Sequence, residues 1–185
     1  MITVKALAFV LVGLMSTQAP ASAGAFDNPL ITFASQSYLN GSLKLTSSQQ
    51  KELDCYAKVT WYEARGESKR GKILVANAVR NRTNYGKPFA TTVCDVVYQR
   101  NQFAWTRDSK KKHTSFKKIA KKHMDVEERQ VVDTLNVAFT MMLMNPPAAT
   151  KATHFCSAGE KCNFKNVKRL GKVGNHTFFE YLGNS

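Results

Sequence analysis

Residues 61–68 of the chain are Trp-Tyr-Glu-Ala-Arg-Gly-Glu-Ser, and an apolar run follows over 71–79. Before this stretch, a capping signal at 46–50 and apolar residues at helical spacing predict a helix over about 47–66. The apolar run predicts a second helix over about 70–82. Two helices joined by a short glycine-containing turn are therefore the predicted centre of the fold.

Glu63 lies among aromatic and aliphatic neighbours near the predicted end of the first helix. A carboxyl group that is partly removed from water resists ionisation, so its pKa rises toward the range useful for a general acid. Such an acid can protonate a poor leaving group, for example a glycosidic oxygen. Glu63 is therefore a candidate catalytic acid for cleaving a sugar chain. The alternative is a surface glutamate paired with Arg65 or a lysine.

Weaker patterns complete the predicted fold. Residues 92–99 suit a short helix or a strand, and residues 126–144 suit a long amphipathic helix ended by the Asn-Pro-Pro segment at 145–147. The C-terminal segment is rich in Gly, Lys and aromatic residues without a helical period, which is typical of short strands and loops. The predicted fold class is α+β and mostly α, a single domain with a small β element.

The first residues predict export. Lys5 precedes an apolar segment over 6–15, and residues 21–23 have the A-x-A form of a signal-peptidase site. We expect residues 1–23 to be a signal peptide, which leaves a periplasmic or secreted protein with no stable membrane span. A retained signal anchor is the alternative, although a span needs about 20 apolar residues.

The rest of the chain is expected to form one domain with a short preceding segment. Residues 24–48 are rich in Ser, Asn, Thr and Gly, and we expect them to be a loosely ordered lead-in. Residues 49–185 would then be the catalytic domain, which is long enough to bury a sizeable core.

Four cysteines in an exported chain favour disulfides, and they allow three pairings. Cys156 and Cys162 flank a short loop, so a bridge between them closes easily. Cys55 and Cys94 would then tie the first helix to the third. Such a bridge would help to fix the helix that carries Glu63.

A metal site is the competing hypothesis for part of this set. His154 lies close in sequence to Cys156 and Cys162, and His176 would supply a fourth ligand. The spacing matches no standard zinc pattern, and oxidising compartments pair thiols. No metal and no other cofactor are therefore expected.

The chain is strongly basic. Lys and Arg number 27 against 13 acidic residues, which gives a net charge of +14. A field of this sign attracts polyanions, and no nucleic-acid motif accompanies the lysines. For an exported protein the expected partners are therefore anionic polymers of the cell envelope rather than nucleic acid. For the lysines at 110–122, a solvated surface that keeps the protein soluble is the alternative.

Six blocks occur in a fixed order between Leu53 and Phe179: residues 61–68, 71–82, 88–99, 102–105, 152–155 and 174–179. Together they resemble the spore-cortex-lytic type of cell wall hydrolase. Each block alone is a weak signal, but the ordered set is fairly specific. The chain departs from the family pattern over 156–164, where the family commonly has a further aromatic residue or histidine and a Pro-x-Trp segment.

The resemblance implies cleavage of peptidoglycan between N-acetylmuramic acid and N-acetylglucosamine, often as a lytic transglycosylase, in a lysozyme-like fold. It also implies that the catalytic glutamate is the first one of the E-A-x-G-E block, which is Glu63. True hydrolysis, as in a muramidase, would need a second carboxylate, for which Glu67 and Asp108 are candidates. A non-enzymatic wall-binding or inhibitory protein is the third hypothesis.

The candidate substrate-binding residues are Glu67, Tyr98, Gln102, Trp105, His154 and His176. The glutamine would hydrogen-bond to a sugar, the tryptophan would stack on its apolar face, and the histidines would orient acetamido or hydroxyl groups. Each has a structural alternative: a helix cap or hydrogen-bonding partner for Glu67, packing for the aromatic residues and a satisfied structural role for the histidines.

Overall fold

The computed structural model describes residues 26–183 of the chain. The helices are α1 (Pro29–Asn40), α2 (Ser47–Ala64), α3 (Lys69–Tyr85), α4 (Val93–Tyr98), α5 (Ser109–His113) and α6 (Phe116–Phe139). The strands are β1 (His154–Ser157), β2 (Val167–Val173) and β3 (His176–Tyr181). Between 26 and 183, no helix has the length and apolar character that a membrane span requires. The predicted signal peptide, residues 1–23, lies outside the described residues.

The two helices at the centre of the fold agree with the prediction. At the start of α2, the Thr46 hydroxyl accepts a hydrogen bond from Gln49 N while the Gln49 side chain accepts one from Thr46 N. These reciprocal bonds satisfy backbone donors that a helix otherwise leaves free. The next helix, α3, is capped by Ser68. Glu63 therefore stands in the last turn of α2, close to the turn between the two helices.

Helix α1 corrects the expected loosely ordered lead-in over 24–48. Asn28 caps this helix by accepting from Leu30 N at 2.9 Å, and Gly41 ends it in a left-handed conformation. Tyr38 is buried, with its ring edge-on to Phe139 of α6 at 5.8 Å between centroids. The buried face also carries serines, so the sequence shows little apolar periodicity there.

Helix α6 begins earlier than predicted and has a kink at Glu127, where φ is −129° and ψ is 34°. Its first part buries Phe116 and Ile119, while the lysines between and after them face solvent. Because lysines surround the few apolar residues there, the sequence shows no clear helical period before residue 126. Beyond α6, a π-helical turn (Thr140–Met144) completes the segment that was predicted to be helical up to 144.

The three strands form an antiparallel sheet in the order β1-β3-β2. On one side of β3, His154 pairs with Phe179 and Ser157 with His176. Strand β1 also contacts α3, which brings the start of the sheet against the helical part of the molecule. The described residues thus confirm the predicted class: α+β, mostly α, with a small β element.

Two disulfides occur among the described residues. Cys55–Cys94 ties α2 to α4, with 5.4 Å between the Cα atoms, and Cys156–Cys162 closes the loop after β1, with 6.0 Å. Both pairings agree with the sequence-based hypothesis. The sulfur atoms are bonded to each other, so they are not the thiolates that the metal hypothesis needs. Residues 93–98 are helical, so the helix is correct and the strand is wrong for the segment 92–99.

Candidate active site

A cleft of about 470 Å³ contains the side chain of Glu63. Several elements contribute one or more side chains: α2, α3, the segment before α5, β1 and the loop closed by the Cys156–Cys162 disulfide. Among its lining residues are Glu63, Arg82, Gln102, Arg107, His154, Phe155, Glu160 and Lys161. One wall is therefore helical and the other is formed by the sheet and its disulfide loop.

Glu63 has the electrostatics of a general acid. Its pKa is raised from 4.5 to about 7, first by burial and then by the negative charge of Glu160. The Trp105 indole and the Arg82 guanidinium act in the opposite direction. At neutral pH a large fraction of Glu63 is therefore protonated, as the sequence analysis anticipated for a carboxyl among apolar neighbours.

Trp105 lies close to Glu63 but does not line the cleft. Its ring is only 6% exposed and stacks against Tyr62 at 4.8 Å and Phe103 at 6.5 Å between centroids. The buried Nε1 has no hydrogen bond of ordinary geometry among residues 26–183, yet it is near enough to the Glu63 carboxylate to lower its pKa. The structural alternative for Trp105 thus has support, while its stacking on a sugar stays a prediction.

Arg82 is a buried cation of the cleft for which no motif in the sequence predicts a role in the site. Its Nε donates to Thr153 O at 2.5 Å, and its Nη1 donates to Gln102 Oε1 at 2.8 Å. Burial lowers its pKa to about 10, which still leaves it positive at neutral pH. Arg82 therefore holds Gln102 in the cleft and links the helical wall to the start of β1.

His154 lines the cleft as an uncharged ring. Burial, followed by the charge of Arg82, lowers its pKa to about 4. Its Nδ1 lies 3.0 Å from Thr153 Oγ1, and its ring packs against Phe164 at 4.8 Å between centroids. A neutral imidazole can hydrogen-bond to a hydroxyl or acetamido group without competing as an acid.

Glu67 and His176 do not line this cleft; they contact each other at the start of β3. The Glu67 carboxylate accepts from Asn175 N at 3.3 and 3.2 Å and lies 3.7 Å from His176 Nδ1. His176 is only 3% exposed, and its Nε2 is 3.5 Å from Ser157 Oγ. This placement supports the structural alternative for both residues, and their contact with substrate remains a prediction.

Tyr98 and Asp108 are also outside the lining of this cleft. The Tyr98 hydroxyl accepts from the buried Lys58 Nζ at 2.9 Å. Asp108 caps α5 by accepting from Lys111 N at 3.1 Å and lines a different cleft. Gln102 and His154 are thus the two predicted substrate-binding residues that share a cleft with Glu63.

The contact between Glu67 and the turn from β2 to β3 gives a stability test at Gly174. Its φ is +58°, and a Cβ there would overlap Glu67 Oε2, so Gly174→Ala combines backbone strain with loss of the bond to Asn175 N. We expect a loss of about 2–3 kcal/mol in the free energy of unfolding, measured with urea. Gly41→Ala is the control, because its backbone is also left-handed (φ +86°, ψ 4°) and a Cβ there would meet only Lys117 Nζ, at an ordinary contact distance of 3.8 Å. Equal losses in the two variants would contradict the role given to Glu67.

A family model described as Cell Wall Hydrolase matches residues 66–179. A search of curated proteins and a search of solved structures found no match, so the lysozyme-like relationship stays a prediction. The match includes Arg82, Gln102 and His154, but it begins three residues after Glu63. The assignment of Glu63 therefore depends on the geometry of the cleft and on the sequence resemblance. Since the match spans more than half of the chain, the protein belongs to the cell wall hydrolase family.

Proposed function

We propose that the protein cleaves the glycosidic bond between N-acetylmuramic acid and N-acetylglucosamine in peptidoglycan, as a lytic transglycosylase. The observation that carries the proposal is the Glu63 carboxyl, held in a cleft with a pKa of about 7. Family membership supports peptidoglycan as the substrate and, with the two disulfides, an extracytoplasmic location. Periplasmic or secreted action on the glycan strand is our specific proposal.

In the first step, protonated Glu63 donates its proton to the glycosidic oxygen as the bond to C1 of the muramic acid breaks. Positive charge develops on the sugar ring while Glu63 becomes a carboxylate. Arg82 is positive and lies close enough to favour that carboxylate. The cleft therefore combines burial, which keeps the proton on Glu63 beforehand, with a cation that stabilises the product of proton transfer.

In the second step, the Glu63 carboxylate takes the proton from the C6 hydroxyl of the same muramic acid. The hydroxyl oxygen attacks C1 and closes a 1,6-anhydro ring, so the proton lost in the first step is regained. This sequence needs one carboxyl because the substrate supplies the nucleophile. Gln102 and His154 would hold hydroxyl or acetamido groups through neutral hydrogen bonds.

A neighbouring cleft of about 580 Å³ supports the proposal that anionic envelope polymers are further partners. Its lining includes Tyr62, the residue before Glu63, and a set of five cations: Arg65, Lys110, Lys111, Lys118 and Lys122. Carboxylates or phosphates on a polymer in the first cleft could extend into this one. The solvated-surface interpretation of the same lysines is the alternative.

True hydrolysis is the second candidate, and the presence of Glu160 in the Glu63 cleft favours it. A muramidase would use water as the nucleophile and leave reducing ends. A wall-binding protein without activity would need only the basic surface. The two enzymatic candidates differ in the ends of their products, and the third candidate releases no product.

Mass spectrometry of purified peptidoglycan treated with residues 24–185 separates these candidates, with the Glu63→Gln variant as the control. We expect 1,6-anhydromuropeptides from the wild type and none from the variant. Reducing-end muropeptides instead would replace transglycosylation by hydrolysis. A folded wild-type protein that binds the wall and releases no product would overturn both enzymatic candidates.

A further inference from the structure

Glu160 is the second carboxylate of the Glu63 cleft, and it comes from a different part of the chain. It lies in the loop between Cys156 and Cys162, whose disulfide joins the two ends of that loop. Inside the loop, Ser157 N donates to Glu160 Oε2 at 3.0 Å, and Glu160 N donates to Ser157 O at 3.1 Å. The loop therefore holds the backbone of Glu160, and the Ser157 N–H directs its solvent-exposed side chain.

The effect of Glu160 reaches Glu63 through space. Its negative charge is the largest influence on Glu63 after burial, and it raises the pKa of that carboxyl. Glu67 and Asp108, the second carboxylates expected from the sequence, do not line the cleft. The Glu160 loop is also the segment in which the chain departs from the family pattern.

We propose that Glu160 is a positioning residue for the Glu63 acid, and that the Cys156–Cys162 disulfide holds its carboxylate in the cleft. The inference rests on the proposed function in one respect, namely that Glu63 must be protonated to act. Glu160 needs no contact with the reacting atoms for this role. Its charge keeps the proton on Glu63 up to a higher pH than burial alone would allow.

Other charged and titratable groups also face Glu63. They are Arg82 from α3, Arg107 from the turn before α5, His154 from β1 and Lys161 from the disulfide loop. The cations oppose Glu160, since a positive neighbour favours the Glu63 carboxylate. Among the described lining residues, Glu160 is the acidic group besides Glu63, so its removal should leave the cations unopposed.

The test compares wild type with Glu160→Gln and with a Cys156→Ser/Cys162→Ser variant. Carbon-13 NMR of labelled glutamate side chains follows the titration of Glu63 directly, and a pH profile of peptidoglycan cleavage follows its consequence. In both variants we expect the Glu63 midpoint and the alkaline limb of the profile to move to lower pH. Activity should therefore fall more at pH 8 than at pH 5.

Glu52→Gln is the matched control, because it removes one negative charge in a different cleft, which is lined by Arg80. It should leave both readouts unchanged. An unchanged Glu63 midpoint in Glu160→Gln overturns the proposal, and this variant keeps both disulfides. A shift in Glu160→Gln without one in the cysteine variant overturns the role of the disulfide. If the Glu63 midpoint shifts in Glu160→Gln but the wild-type protein cleaves no peptidoglycan, the role of Glu160 is supported and the proposed function is overturned.

Discussion

Glu63→Gln is expected to lower the rate of peptidoglycan cleavage by about 10²- to 10⁴-fold, the usual contribution of a positioned general acid. The amide keeps the size of the side chain but has no proton to donate at the glycosidic oxygen. Binding should persist, because Gln102, His154 and the basic cleft are untouched. Turnover of soluble glycan fragments and sedimentation with insoluble peptidoglycan measure the two quantities separately.

The same substitution should stabilise the folded protein at alkaline pH. The pKa of Glu63 rises from 4.5 to about 7 on folding, so its ionisation costs up to roughly 3 kcal/mol, at about 1.4 kcal/mol per pKa unit, less screening by water in the cleft. Below pH 4.5 the carboxyl is neutral in both states and the two proteins should differ little. The advantage of the variant should grow as pH rises from 4.5 to 7 and level off above 7, where the carboxyl is ionised in both states.

Thermal unfolding at pH 4 and pH 8 measures this difference, with Glu52→Gln as the control for loss of one charge. A variant that loses activity and gains stability only at the higher pH would identify Glu63 as a residue kept in an unfavourable environment for its chemistry. Equal unfolding temperatures at pH 8, or full activity of the variant, would contradict the assignment.

Replacing both Cys55 and Cys94 with Ala is expected to cost about 4 kcal/mol of stability in the chain-entropy account, because the bridge spans a separation of 39 residues. For a protein of this size that corresponds to roughly 8–16 °C in the unfolding temperature. The bridge ties α2 to α4, so its loss should also loosen the helix that carries Glu63. Calorimetry of the oxidised proteins gives the measurement.

The second disulfide provides the comparison. Cys156–Cys162 spans a separation of only 6 residues, and the same account gives about 2 kcal/mol for its removal. The long-range pair should therefore contribute more to stability than the short one. An equal or reversed order would show that native-state contacts, rather than the entropy of the unfolded chain, determine what each bridge contributes.

Local signals in the sequence were enough to predict the centre of the fold. The capping residues Thr46 and Gln49 and the apolar spacing that follows them depend only on neighbours along the chain, and α2 begins where they predict. Helix α1 escaped prediction because Ser35 and Ser37 occupy its buried face. The start of α6 was not predicted because lysines surround the apolar residues Phe116 and Ile119.

The candidate site was only partly predictable for a different reason. Glu63 was identified from a local block, whereas Arg82 and Glu160 reach the same cleft only after the sheet packs against the helices. Along the chain, Arg82 is only a basic residue in the last turn of α3, whereas its partners Gln102 and Thr153 are distant in sequence. Glu67 shows the converse: it is only four residues after Glu63 in sequence, yet it binds the turn from β2 to β3.

The sheet order places β2 at an edge, where backbone groups lack a further strand partner within the sheet. Exposed edges invite pairing with other chains, and charged side chains or bulges discourage it. Strand β2 carries Lys168, Arg169 and Lys172, and its register shifts between Arg169 and Gly171. These cations therefore have a use that requires no polymer, since charges along an edge strand hinder edge-to-edge pairing of two molecules.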